Sequence, residues 1–272
     1  MDGNQMSGDA DIARIAALFA DPSRAKVLTA LADGRALPAS VLADEAGVSP
    51  QATSGHLAKL REAGLISVRK SGRHRYYALT GDEVANAIEA LAQLAPSKPV
   101  RSLREGTRAN ALRMGRTCYD HFAGQLGVQI TEALLDRDAL LATDGVASTE
   151  ARSGEPVVGA AQRHPYALGP SAAETLKLLG LDLDTIVAAP TRRPLLRFCL
   201  DWTEHRYHLA GLLGAHVFTA FDENGWVRRL PRQRAVRLTP DGAAVLARLE
   251  RAGHSRSGHS RSVATNAIRS PR

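Results

Sequence analysis

What is scarce in this 272-residue chain narrows its class first. Two cysteines, Cys118 and Cys199, are too few for a disulfide framework. A small secreted scaffold is thereby excluded, and each thiol has to be core filler, redox group or metal ligand. No apolar run approaches the roughly 18–20 residues that span a bilayer, and the polar start from Met1 to Asp11 lacks the charged-then-apolar layout of a signal peptide. The expectation is a cytoplasmic protein with no membrane partner. Aromatic residues make up only 4% and gather late, at Trp202, Tyr207, Phe218, Phe221 and Trp226, where they suit a core or a pocket for an apolar effector. There is no nucleophile elbow, phosphate-cradling glycine loop or HExxH pair, which argues against an enzyme. With 44% hydrophobic and 23% charged residues, what remains is a globular chain able to fill one large core or two ordinary ones.

The net charge is +7, but the tail from Arg251 onward holds five arginines and no acid, so only +2 belongs to everything before it. Local clusters therefore say more than the total. Lys59, Arg61, Arg69, Lys70, Arg73 and Arg75 stand against Glu62 alone; Lys98, Arg101, Arg104, Arg108, Arg113 and Arg116 stand against Glu105 alone. These two stretches are the candidate phosphate contacts.

Polar residues 1–9 and the tail 251–272, where Gly-His-Ser-Arg-Ser occurs twice from positions 253 and 258, have the composition of disordered ends. His254 and His259 in that tail are too separated to make persuasive ligands. Pro96 and Pro99 break helical periodicity and mark a boundary between a first domain (10–95), a basic linker (96–106) and a second domain (107–250). Within the latter, the Gly-, Ser- and Pro-rich stretch 142–165 reads as a long loop.

In the first domain Ile12, Ile15, Ala16 and Phe19 recur at helical spacing, and Asp21-Pro22-Ser23 opens a second helix that Gly34 ends. A short third helix covers 41–46, Gly47-Val48 is a tight turn, and Ser49-Pro50 caps and starts a fourth helix running to Ala63. Two strand-like runs, 65–70 and 73–79, are joined at Ser71-Gly72, and a last helix spans 82–94. Helix, glycine turn, helix and a basic-tipped hairpin form the order of a winged helix-turn-helix. In the fourth helix Thr53, Leu57 and Leu60 point inward by spacing, leaving Ser49, Gln51, Ala52, Ser54, Gly55, His56 and Lys59 as candidate DNA-facing residues. Short side chains at a helix start can approach base edges in the major groove, and the hairpin residues Arg69, Lys70 and Arg73 would reach flanking phosphates or the minor groove.

Phe19-Ala20-Asp21-Pro22-Ser23-Arg24, Leu42 to Val48, and Ser54-Gly55-His56-Leu57 with Leu60-Arg61-Glu62-Ala63-Gly64-Leu65 together resemble the ArsR/SmtB family of winged helix-turn-helix transcriptional regulators, here with an additional C-terminal domain. The resemblance covers 10–95. It implies a cytoplasmic homodimer, packed through its first and last helices, that places one recognition helix per protomer on a pseudopalindromic double-stranded DNA operator and acts as a repressor. Gly55 departs from the family pattern, in which an arginine is common. Two family metal sites are missing: 37–40 offers no thiol, and 82–94 offers no histidine or cysteine. Any effector site then belongs to the second domain. Two other readings stay open: a protein-interaction module with a vestigial winged helix, and an enzyme within 107–250.

That domain carries an internal echo. His121-Phe-Ala-Gly-Gln-Leu-Gly127 and His208-Leu-Ala-Gly-Leu-Leu-Gly214 are near copies 87 residues apart, with Cys118 and His205 at the same offset. Tyr166-Ala167-Leu168 and Leu238-Thr239-Pro240 repeat the way Tyr77-Ala78-Leu79 leads from strand to helix. The expected architecture is mainly α with small antiparallel hairpins, the C-terminal domain being α-rich and built of two degenerate winged-helix-like repeats. If these stretches are helical, Cys118 with His121 and His205 with His208 are side-by-side pairs at i, i+3. Cys118, His121, Cys199, His205 and His208 are thus candidates for metal or thiol sensing. No cofactor is required, although a transition-metal ion such as zinc would suit them. Core packing and contact with a small organic ligand remain open for the same residues.

Overall fold

The structure, a computed structural model, describes residues 9–96, 99–152, 165–231 and 233–251. The expectations for 1–8, for the tail beyond 251 and for 153–164 fall outside the described residues.

The N-terminal domain runs α1 (Ile12–Ala20), α2 (Pro22–Leu31), β1 (Leu37–Pro38), α3 (Ala39–Ala46), α4 (Pro50–Glu62), β2 (Ile66–Ser71), β3 (His74–Leu79) and α5 (Asp82–Leu94). Local chemistry sets the starts and stops. Asp21 accepts from the Ser23 and Arg24 N–H groups, with Pro22 in the first turn, and Ser49 accepts from the Ala52 N–H ahead of Pro50. Each cap satisfies donors that a helix start leaves without partners. Gly47, at φ 71°, closes α3 in a left-handed turn that aims α4 across it. The hairpin ladder runs from Ile66↔Leu79 to Ser71↔His74, so its loop is Gly72-Arg73, one residue beyond the expected junction. The two-residue strand β1 pairs Leu37 with Tyr77; it is too short to show any period. Val27, Leu28, Leu31, Leu42, Leu57, Leu60 and Ile66 fill the core.

The second domain begins with α6 (Leu103–Met114), which occupies part of the expected 96–106 linker. Ser102 accepts from the Glu105 N–H (3.2 Å) and the Glu105 carboxylate from the Arg101 N–H (2.8 Å), a reciprocal cap that starts the helix early. Two units of hairpin, helix, hairpin and helix follow. The first comprises β4 (Arg116–Cys118), β5 (His121–Ala123), α7 (Gly124–Asp136), β6 (Leu140–Ala142), β7 (Tyr166–Leu168), α8 (Ala172–Lys177) and α9 (Leu183–Val187). The second comprises β8 (Arg197–Leu200), β9 (Tyr207–Ala210), α10 (Gly211–Glu223), β10 (Val227–Arg229), β11 (Val236–Leu238) and α11 (Pro240–Arg251). The chain is helical with small antiparallel hairpins, and the C-terminal part mixes helix and sheet. β6 and β7 pair as an antiparallel hairpin, and most of the expected loop between them lies outside the described residues. As expected, β3, β7 and β11 each lead into a helix.

The echoed motif is only half helical. His121 and His208 lie on strands, and the helix starts at the glycine three residues later, where Gly124 (φ 72°) and Gly211 (φ 73°) turn the chain. Cys118 and His205 are not equivalent either, because the two hairpins have loops of different length. Cys118 pairs with His121 across β4–β5, while Cys199 pairs with His208 across β8–β9; the i, i+3 helical pairing is replaced by cross-strand pairing.

The units interlock, α7 packing on β9, α10 on β5, and β5 on β9. Thr131 of α7 accepts from the Leu209 N–H of β9 at 2.9 Å. The late aromatics are core: Tyr207, Phe218 and Phe221 are buried, and Phe122 meets both phenylalanines edge-on. Trp202 alone of that group lies at the junction of the domains, beside a cavity of about 340 Å³ shared with Thr29, Leu37, Val41 and Leu112.

Polar contacts join the domains. Tyr119, in the β4–β5 turn, donates its N–H to the Ala32 carbonyl at 2.7 Å and packs on the N-terminal core. Gln93 of α5 donates to the Leu200 carbonyl at 2.6 Å, Arg197 pairs with Asp82 at 3.2 Å, and Glu89 of α5 pairs with the buried Arg234.

Candidate functional site

Two assemblies of chemistry-bearing side chains stand out. The first is the outer face of α4 with the β2–β3 hairpin. Thr53, Leu57 and Leu60 are buried, which leaves Ser49, Gln51, Ala52, Ser54, Gly55 and Lys59 exposed. The Ser49 hydroxyl is committed to its cap, and the Ser54 hydroxyl donates to the Pro50 carbonyl at 3.0 Å, so Gln51 presents the free amide of this helix start. His56 is only partly exposed, its Nδ1 3.8 Å from Asp21 Oδ1; this turns it from the outer face toward the N-terminus of α2. Asp21 sits below the usual carboxylate range, first because the Arg24 N–H bonds its ionised form. On the hairpin Arg69, Lys70, Arg73 and Arg75 are all exposed, and no ion pair within the described residues engages them.

In the second basic stretch three of the cations are engaged by acids. Arg116 is wholly buried, 2.9 Å from Asp201 Oδ2, with its guanidinium over the Trp202 ring. Arg108 pairs with Glu45 at 2.8 Å and Arg113 with Glu204 at 3.0 Å. These three charges, which looked free in the sequence, are matched by acids brought close in space. Lys98 lies outside the described residues.

The second assembly lies where the two C-terminal units meet. Cys118, His121, Cys199 and His208 bring their ligand-capable atoms within 4.8 Å of one another. His205 is not among them; it occupies the β8–β9 turn in a left-handed conformation (φ 54°). His121 and His208 are 4% and 1% exposed, and their rings lie 5.3 Å apart. His121 Nε2 and both ring nitrogens of His208 have no hydrogen-bond partner within the protein. A carboxylate stands behind each ring: Asp120 Oδ1 is 3.4 Å from His121 Nδ1, and Asp201 Oδ2 is 3.5 Å from His208 Nδ1. Asp120 is itself held by Arg193, and Asp201 by Arg116, the Gly124 N–H and Thr203. Burial alone would raise both acids, but Arg193 and Arg116 respectively keep them well below the ordinary carboxylate range.

Small residues make the site possible. A Cβ on Gly127 would stand 2.6 Å from the Phe122 carbonyl oxygen and 3.3 Å from the His208 Cβ; on Gly214 it would stand 2.8 Å from the Leu209 carbonyl oxygen and 3.3 Å from the His121 Cβ. Each glycine thus lets its helix close on the carbonyl of its own hairpin and leaves room for the other unit's histidine, which fits the recurrence of the final glycine in the echoed motif. The Cys118 thiol is pushed up to about 12 by its hydrogen bond with the Cys199 side chain and by burial.

Comparison with known proteins agrees with this division. A helix-turn-helix domain family matches residues 19–69. YdfF of Bacillus subtilis, an uncharacterised HTH-type transcriptional regulator, is 40% identical over 232 residues, covering 85% of this chain and 93% of YdfF. CmtR of Mycobacterium bovis, an HTH-type transcriptional regulator, is 37% identical over 83 residues, 30% of this chain and 70% of CmtR. Among solved structures, the homodimeric winged helix-turn-helix DNA-binding domain Mb0332 of M. bovis is 29% identical, covering 33% of this chain and 88% of that one, with a TM-score of 0.28 that is too low to argue from. The match to CmtR is no longer than a winged helix, whereas that to YdfF is long enough to take in most of the second domain as well. The chain belongs to the HTH-type transcriptional regulators, and its N-terminal domain has the winged helix-turn-helix order that resembles the ArsR family.

Proposed function

We propose that this regulator is a homodimeric repressor that reads a pseudopalindromic operator with Gln51 and its neighbours on α4, and that grips flanking phosphates with Arg69, Lys70 and Arg73. The observation carrying this reading is the pairing of an exposed, short-chained helix start with a hairpin whose exposed cations form no ion pair among the described residues. Short side chains admit the helix to the major groove, and free guanidinium and ammonium groups release counterions when they meet phosphate. The roles separate experimentally. Binding of duplexes selected from a random library should lose about 1–3 kcal/mol on Gln51→Ala, with relaxed preference at one base position. Lys70→Ala or Arg73→Ala should weaken selected and random duplexes alike and flatten the log-affinity against log-salt slope by about 0.9 per contact. Equal losses on selected and random DNA from Gln51→Ala would remove α4 from the base-reading role.

Apolar side chains that the monomer leaves in water support the dimer. Ile12 and Ile15 on α1 and Leu91 and Leu94 on α5 are exposed, and α1 buries no residue at all. These are the first and last helices of the winged domain, the pair that the family resemblance assigns to the dimer contact, and a twofold contact would cover both. Leu94→Asp should shift sedimentation toward monomer and reduce operator affinity together; an unchanged dimer would place the contact elsewhere. A vestigial winged helix would show no preference among duplexes in the same selection.

A further inference from the structure

We propose that Cys118, His121, Cys199 and His208 hold one zinc-class divalent ion, which clamps the two C-terminal units together and acts as an effector through the β4–β5 turn. Three observations converge on the ion. The four donors come from facing hairpins and lie within 4.8 Å of one another. A tetrahedral ion with bonds of about 2.0–2.3 Å needs donor–donor edges of about 3.3–3.8 Å; the cluster is therefore near closure and needs only a small contraction. Two thiolates exactly balance a divalent charge, so a site this deeply buried need not hold net charge. Unpartnered buried ring nitrogens are the second observation, since His121 Nε2 and His208 Nε2 have no acceptor or donor to satisfy them.

The third is the pair of supporting carboxylates. Asp120 and Asp201 stand behind the Nδ1 atoms of His121 and His208. The Asp120 contact favours the Nδ1–H tautomer of His121 and turns its Nε2 lone pair toward the cluster, an arrangement common around ligating histidines, while Asp201 stands 3.5 Å from His208 Nδ1 without a hydrogen bond and favours the same tautomer by its charge. Two sulfurs and two imidazoles suit zinc, whereas an iron–sulfur cluster would call for more thiolates. All four positions come from the protein, so the ion's role is to hold structure or report a signal and not to activate a substrate.

The route to the winged helix is short. Tyr119 and Asp120 form the turn between two of the ligands, and Tyr119 is bonded to Ala32 at the end of α2. Arg197, two residues before Cys199 on β8, pairs with Asp82 at the start of α5. Contraction of the cluster thus pulls on both α2 and α5. The effector role rests on the DNA-binding reading above; the ion site does not.

The test is cobalt(II) titration of the reduced, metal-free full-length chain, followed by zinc displacement and by affinity for a selected duplex with and without zinc. Tetrahedral d–d absorption with a sulfur-to-cobalt charge-transfer band, at one ion per chain, is expected in the wild type and in His205→Gln. It should be lost or lose its sulfur band in Cys118→Ser and Cys199→Ser, and be lost or distorted in His208→Gln. Zinc should change duplex affinity by about 5- to 150-fold, the usual range for coupled sites. Absence of the tetrahedral spectrum in wild-type protein that is folded by circular dichroism overturns the site, as does a spectrum that depends on His205. The spectrum together with zinc-independent duplex affinity overturns the effector role. Failure to bind any duplex in either state, with the spectrum intact, instead sinks the DNA-binding reading and the effector role with it, leaving the ion site standing.

Discussion

Replacing Glu89 with glutamine is expected to destabilise the folded chain by about 3–5 kcal/mol, the usual cost of leaving a buried charge without its partner. Glu89 is a buried acid on the otherwise apolar inner face of α5, paired with the buried Arg234 and 3.9 Å from Arg116. Glutamine keeps the volume and a hydrogen-bonding group but removes the countercharge, so the loss reports electrostatics and not a cavity. Arg116 retains Asp201; Arg234 is the group left exposed to the full penalty. Denaturant titration followed by tryptophan fluorescence, to which Trp202 beneath Arg116 contributes, reads the effect.

The sign of the pH dependence follows from the same pair. Burial alone would raise Glu89, but Arg234 and then Arg116 hold it below its ordinary value of 4.5. Its stabilisation is therefore complete above that value and lost as pH falls through the lower folded-state value. The gap between wild type and Glu89→Gln should narrow on acidification. Replacing both partners, Glu89→Leu with Arg234→Met, should recover much of the loss, because neither charge then has to be desolvated. A single-variant loss below about 1 kcal/mol would mean that the pair does little more than break even against water.

Alanine at Gly127 and alanine at Gly55 are expected to have opposite signs, although both glycines lie inside helices. Helix propensity alone favours alanine by about 0.8–1.0 kcal/mol at either position. At Gly55 a Cβ meets nothing within 4 Å, so Gly55→Ala should stabilise the winged domain by about that amount. At Gly127 the Cβ would collide with the Phe122 carbonyl and press on His208. Overpacking of this kind costs about 1–3 kcal/mol and outweighs the propensity gain. Gly214→Ala, which presses on His121 from the other unit, should behave like Gly127→Ala. Thermal unfolding separates the cases, and a stabilised Gly127→Ala would show that the hairpin and helix are less closely packed than the structure places them.

The winged helix was legible because its signals are local. Asp21-Pro22 and Ser49-Pro50 announce helix starts to within a residue, Gly47 and Gly72 mark turns, and Thr53, Leu57 and Leu60 reveal the buried face of α4 by spacing alone. The repeat in the second domain was visible in the two His-x-Ala-Gly-x-Leu-Gly stretches, and both turn out to run from strand into helix. A run of one strand and one helical turn has no sustained period, so reading it as helix was the natural error.

What the sequence alone determined is therefore the family, the order of elements in the winged helix, the outer face of α4 and the residue types available for a metal. Tertiary structure decided which of those residues meet. The unequal hairpin loops set Cys199, and not His205, opposite His208. The packing of β5 against β9 brought Cys118 and His121 to the same point. Asp201, 85 residues away in sequence, turned Arg116 from an apparent phosphate ligand into a buried structural cation. Caps, turns and faces depend on neighbours within a few residues, whereas register between separate hairpins and the pairing of distant charges depend on how the chain closes in space. That is why the first group could be read from the sequence and the second only from the fold.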